Sequence, residues 1–148
     1  EAASLCASFE RRNSATVGGN IACRRDDSYL GALFSVMGVK TYAVTPHGEG
    51  EKSVEDYFPT TCRRLILYFI LDPRKDGWVK RFGNTVSSHA ALIAAESDGR
   101  YALSVKGSPM VIGDTPEIYK DVEYVSDMFG SAEYKKYLAS IVFGLRRK

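Results

Sequence analysis

The spacing of apolar positions divides the chain into a short series of elements. In EAASLCASFERR (1–12), Ala2, Leu5 and Phe9 fall on one helical face, which predicts a helix stopped by Asn13 and Ser14. ATVGGN (15–20) has no period and reads as a loop. From Ser28 to Gly38, Leu30, Leu33, Phe34 and Met37 recur at helical spacing, with Ser28 as N-cap and Gly38 just past the end. VKTYAVTP alternates as a strand up to Pro46, HGEGEK reads as a polar turn, and SVEDYF as a short acidic helical turn capped by Ser53. RLILYFILDP predicts a buried strand closed by Asp72 and Pro73, and GWVKRFGN another strand after the RKDG turn. SHAALIAAES and RYALSVKG flank Asp98-Gly99 and predict a hairpin. Residues 108–130 read as loop with one helical turn. The last segment, SAEYKKYLASIVFGLRRK, predicts a helix capped by Ser131. Its apolar stripe is Tyr134, Tyr137, Leu138, Ile141, Val142 and Leu145, with Lys135 and Lys136 pointing away and Arg146 to Lys148 at the C-terminal end.

Strands cluster in the middle of the chain instead of alternating with helices. The predicted class is therefore α+β: a central, mostly antiparallel sheet with flanking helices and a C-terminal helix.

Composition narrows the function classes. The 148 residues suit a compact unit with a real core; 45% are apolar and 26% charged, as in ordinary globular proteins. A net charge of +2, with basic pairs scattered among acidic residues, disfavours a nucleic-acid surface. The longest apolar run, Leu65 to Leu71, is strand length, far short of the roughly 18 residues of a membrane helix. The three cysteines, Cys6, Cys23 and Cys62, form no C-x-x-C, and the two histidines no metal-binding pair, which points away from a disulfide framework or metal site and towards a reducing, cytoplasmic setting.

The candidate chemistry lies in NSATVGGNIACRRDD (13–27). Paired glycines tolerate positive φ and bring backbone N–H groups close to a bulky anion; Thr16 and Asn20 add polar tips, and the helix starting at Ser28 adds its dipole. That chemistry suits a diphosphate or ribityl chain, while a tight turn touching no ligand explains the same residues. The motif is neither G-x-G-x-x-G nor a Walker A loop. Arg24 to Asp27, RRDD, reads as a solvated, salt-bridged turn, with phosphate neutralisation as the alternative. A nucleophile pair of Cys62 and His89 has no supporting motif, and a packed thiol is the simpler reading of Cys62.

SATVGGNIA (14–22) resembles the second flavin-contacting motif of the molybdenum hydroxylase flavoproteins, the FAD-binding medium subunits of the xanthine dehydrogenase and carbon monoxide dehydrogenase family. SVEDYF, RLILYFILDP, VKRFGNTVSSHAALIAAES, YALSVKGSPMVI and GSAEYKKYLASIVFGLRRK resemble later segments of that family in the same order. The resemblance implies an FAD-binding electron-transfer component, partnered by molybdopterin and iron–sulfur subunits and passing electrons to an acceptor such as NAD. It places Ala15, Thr16, Gly18, Gly19 and Asn20 against the FAD, Ser28 as a polar contact, Ile66 and Leu67 beside the flavin, and Lys80 as a nearby basic residue. No side chain acts as a catalytic residue, and no metal ligand is implied.

Two departures qualify the match. Tyr29 stands where the family has an Asp, and the family's first, Gly-rich flavin motif is missing. The chain therefore resembles the C-terminal portion of such a protein: residues 1–86 as the second FAD-binding subdomain and 87–148 as a short C-terminal flavoprotein domain. Weak or absent FAD binding by this chain alone is the expectation. Two alternatives remain: a cofactor-free interaction module docking through Tyr134 and Tyr137, and a small hydrolase using Cys62 and His89.

Overall fold

The computed structural model describes residues 2–5, 8–25, 27–59, 64–85 and 88–144. Three short α-helices come first: α1 (Phe9–Ser14), α2 (Val17–Ala22) and α3 (Tyr29–Val36). Seven strands follow, β1 (Lys40–Thr45), β2 (Gly48–Ser53), β3 (Leu65–Ile70), β4 (Trp78–Phe82), β5 (Leu92–Ser97), β6 (Arg100–Val105) and β7 (Val111–Gly113). The helix α4 (Ala132–Gly144) closes the order. The class is α+β, and its antiparallel strands form two sheets, ordered β2-β1-β3 and β4-β5-β6-β7.

α3 joins the two sheets. Ala32 and Val36 pack with Val79, Ile93, Ala95 and Ala102 on one face of the second sheet. Phe34 turns the other way, into a cluster with Ile21, Val39, Val54 and Tyr57 beneath the first sheet. The opposite face of the second sheet carries Leu92, Ala94, Leu103 and Val105, covered by Ile118, Ala139, Val142 and Phe143. β5 is thus buried on both faces. The β5–β6 turn is the two-residue Asp98-Gly99 loop, with φ of 50° and 78°, as a hairpin with native twist requires.

Several expectations need correction. The segment 1–12 is not one helix: Ala2–Leu5 forms a 3-10 turn, and Ser8 caps a separate α1 that runs through Asn13 and Ser14. Phe9 is exposed, so the expected face is not shared. HGEGEK is mostly strand, because pairing with β1 outweighs the low strand propensity of its glycines and glutamates. Ser53 belongs to β2, and the turn Glu55–Tyr57 starts at Val54 with no side-chain cap. Residues 108–130 include β7 as well as the 3-10 turn Pro116–Lys120.

β3 forms where expected but is not buried. It is an edge strand; Ile66 and Phe69 pack inward, while Leu65, Leu67, Tyr68 and Ile70 are exposed. A register shift opposite Tyr42 and Ala43 leaves Leu67 without a partner in β1, which explains why the apolar run keeps no simple alternation.

α4 is rotated relative to the expected stripe. Tyr134 and Tyr137 face solvent, while Lys135 is fully buried with Ala139, Val142 and Phe143. Its aliphatic stem fills the core, and its ammonium finds acceptors at Lys106 O (3.2 Å), Val125 O (2.8 Å) and the Asp127 carboxylate (2.8 Å). Leu138 and Ile141 are partly buried, and the expected contacts of Leu145 to Lys148 lie outside the described residues.

Candidate functional site

The glycine pair does not form a loop. Thr16 adopts an extended conformation (φ −112°, ψ 154°) and caps α2, its Oγ1 accepting the Gly19 N–H at 3.0 Å. Gly18 and Gly19 lie in the first turn of that helix, and neither has positive φ. The left-handed residue is Arg24, just beyond the helix, at φ 49°. The two glycines serve different ends. A Cβ at Gly19 would sit 3.0 Å from Thr16 Oγ1, so its bareness accommodates the cap. A Cβ at Gly18 would meet nothing within 4 Å. The main chain is open there, and the N–H groups of Val17 and Gly18 belong to a first turn that offers them no partner within the helix. Ala15 ends α1, donating its N–H to Arg11 O at 2.8 Å.

Asn20 and Ser28 are joined to each other. Ser28 Oγ donates to Asn20 Oδ1 at 2.6 Å and accepts from the Gly31 N–H at 2.9 Å. Ser28 is buried, so its hydroxyl fixes α2 against the start of α3. Asn20 Nδ2 makes no hydrogen bond among the described residues.

The remaining candidates divide. Ile66 packs in the cluster that holds Ile21 of α2, and Leu67 is exposed on the same strand. Lys80 is elsewhere: Trp78, Lys80 and Phe82 share the face of β4 that is turned towards α4, whereas Arg81 reaches Tyr29 OH on α3 at 3.0 Å. Lys80 Nζ lies 5.6 Å from the centroid of the Trp78 ring. The structure brings Thr16, Gly18, Gly19, Asn20, Ser28 and Ile66 into one region and leaves Lys80 across the second sheet.

The RRDD segment holds more than a solvated turn. The Asp27 side chain is only 9% exposed and gathers three basic groups: Arg25 Nε at 2.7 Å, Lys106 Nζ at 3.2 Å and His89 Nδ1 at 3.3 Å. The Arg25 hydrogen bond, followed by that from Lys106, outweighs burial and holds the Asp27 carboxyl well below its ordinary range. The sequence signalled the charges but not this gathering, because Lys106 and His89 are distant in the chain. His89 is committed to this cluster, and Cys62 lies outside the described residues, as do Cys6 and Asp26. Cys23 is free and exposed. Among the described residues, no group of three or more His, Cys, Asp or Glu side chains is placed to hold a metal ion.

No family model matches the chain. The uncharacterized protein YgfM of Escherichia coli K12 is 26% identical over 149 aligned residues, covering 88% of this chain and 56% of YgfM. The chain thus spans about half the length of that relative. In fold, it is similar to a chain of carbon monoxide dehydrogenase from Hydrogenophaga pseudoflava, with a TM-score of 0.78 and 18% identity over 94% of this chain and 61% of the other. Quinoline 2-oxidoreductase from Pseudomonas putida 86 gives the same four values. The fold is one found in molybdenum-containing oxidoreductases. Among the described residues, no helix is long and apolar enough to cross a membrane.

Proposed function

We propose that this chain is part of an FAD-binding, electron-transferring component of a molybdenum hydroxylase-type oxidoreductase, and that it supplies one wall of the flavin site. The observation that carries this reading is the open main chain at Gly18, in the motif that resembles a flavin-contacting segment. The fold likeness to carbon monoxide dehydrogenase and quinoline 2-oxidoreductase supports it.

The residues present fit such a group. The bare first turn of α2 would receive an anionic linkage on its N–H groups, with Ala15, Thr16 and Asn20 Nδ2 beside it. Ser28 would act indirectly, by orienting Asn20. Leu67 and the exposed side of β3 offer apolar surface. Lys80 does not enter this wall. Bound FAD would accept and release electrons between molybdopterin and iron–sulfur partner subunits and an acceptor such as NAD; the protein's part is binding and orientation. Residues 1–86 and 87–148 would form the two flavoprotein portions, with β4 pairing to β5 across that division. A cytoplasmic setting belongs to the same reading.

One wall buries too little of a dinucleotide to offset its lost freedom, so FAD added to the isolated chain is expected to bind weakly. Fluorescence titration tests this, with Gly18→Val expected to abolish the binding. Weak binding that Gly18→Val leaves intact, or no binding by the full gene product, would each overturn the reading, and tight stoichiometric binding by this chain would overturn the one-wall expectation. A cofactor-free docking module is the second reading, favoured by the exposed Leu65, Leu67, Tyr68 and Ile70 of β3 and by Tyr134 and Tyr137; no binding by the full gene product would favour it.

A further inference from the structure

The inner face of the first sheet ends in a cleft that the flavin reading does not use. It is lined by Ala43, Thr45, Gly48, Gly50, Lys52 and Arg64. The register of β1 with β2 pairs Ala43 with Gly50 and Thr45 with Gly48, so the floor carries only small side chains or none. A Cβ at Gly48 or Gly50 would meet nothing within 4 Å.

Arg64 is one of the lining residues. Its Nε and Nη1 are buried, and neither has a hydrogen-bond partner among the described residues. The guanidinium lies over the Tyr57 ring, 5.6 Å from its centroid. A guanidinium stays protonated, so it cannot escape the cost of burial by giving up its charge. Buried donors left without acceptors are rare and call for a missing partner.

The charge distribution says what that partner is. Lys52 alternates onto the same face as Gly48 and Gly50, which makes the charged side chains of that face cationic. Glu49 and Glu51 also border the cleft, but alternation puts their side chains on the outer face. There Glu51 Oε2 lies 3.6 Å from Lys40 Nζ, and Glu49 neighbours the Tyr42 hydroxyl. His47 also lines the cleft.

We propose that this cleft binds the phosphate group of a small molecule, with Arg64 as its principal partner, Lys52 as a second cation, and the glycine backbone of β2 as its floor. A planar fork of N–H donors matches the oxygens of phosphate, and two cations suit a dianion better than a monocarboxylate.

The test uses inorganic phosphate, with acetate and chloride at matched ionic strength, and reads the thermal midpoint of the chain. Millimolar phosphate is expected to raise the midpoint, acetate to raise it less, and chloride not at all. Arg64→Met is expected to abolish the phosphate response without lowering the midpoint of the ligand-free chain, since it removes an unpaired buried charge. Gly50→Val fills the floor while keeping Arg64 and is expected to abolish the response too. Lys52→Gln should weaken apparent phosphate affinity severalfold. Gly18→Val should leave the response intact, which separates this site from the flavin wall. The proposal is overturned if phosphate has no effect, if acetate equals it, if Arg64→Met or Gly50→Val retains the response, or if Gly18→Val removes it.

Discussion

Lys135 Nζ lies 2.8 Å from Asp127 Oδ2, on a lysine with no exposed side-chain surface. The ammonium also reaches the carbonyls of Lys106 and Val125, so one side chain ties α4 to the end of β6 and to the segment before the helix. Burial alone would push the Asp127 carboxyl up, but the Lys135 hydrogen bond and the Phe129 N–H together bring it below its ordinary value.

Asp127→Ala is therefore expected to destabilise the chain by about 2 kcal/mol, less than the roughly 3–5 kcal/mol of a fully buried pair, because this carboxylate is 25% exposed. Lys135→Met keeps the stem and removes the charge, and should cost less than Asp127→Ala. Urea denaturation of both variants checks the order; a larger loss for Lys135→Met would mean that the ammonium's bonds to the Lys106 and Val125 carbonyls, more than the pair with Asp127, hold α4 in place.

Asp27 is expected to shape the acid limb of stability. Its carboxyl is held low in the folded chain, first by Arg25 and then by Lys106. A carboxyl depressed on folding contributes fully above its unfolded value, about 3.9, and loses that contribution as pH falls below it towards the folded value. Stability should thus decline on acidification from about pH 5 downward, and Asp27→Asn should flatten that decline while lowering stability at neutral pH. Thermal midpoints measured from pH 7 to pH 3 test the slope.

Gly18→Ala should stabilise the ligand-free chain by about 0.5–1 kcal/mol, since alanine favours a helix and the added methyl meets open space. The same methyl intrudes on the bare main chain, so flavin affinity should fall. A tight turn would give the reverse for stability: had Gly18 needed positive φ, alanine would destabilise. Chemical denaturation of the two proteins decides between them.

The outer face of β3 is an association hazard. Leu65 and Ile70 share it with Tyr68, whose ring stacks on Tyr42 at a centroid distance of 5.0 Å, and among the described residues the strand edge is unpaired. Leu65→Lys with Ile70→Lys should reduce concentration-dependent light scattering of the isolated chain while changing its stability by less than about 1 kcal/mol.

Local chemistry made much of this architecture legible. Ser28 and Gly38 mark the ends of α3 because capping needs only neighbouring backbone groups, and Asp98-Gly99 sets its hairpin because a two-residue turn demands left-handed φ. The class followed from the clustering of strands between helices, and the position of β3 from its length and apolar run.

What tertiary structure alone decided is where each face points and what meets it. No spacing rule reveals that the TVGGN segment closes into a capped helical turn, that Lys135 is buried beneath three acceptors while Tyr137 is exposed, or that β3 is an edge. Asp27 finds Lys106 and His89, and the buried Nε and Nη1 of Arg64 find no acceptor among the described residues, through pairings between distant parts of the chain. Burial and charge compensation are properties of the assembled neighbourhood. The sequence by itself determines the local turns, caps and periods; the fold decides which polar groups are satisfied, and so where a ligand is wanted.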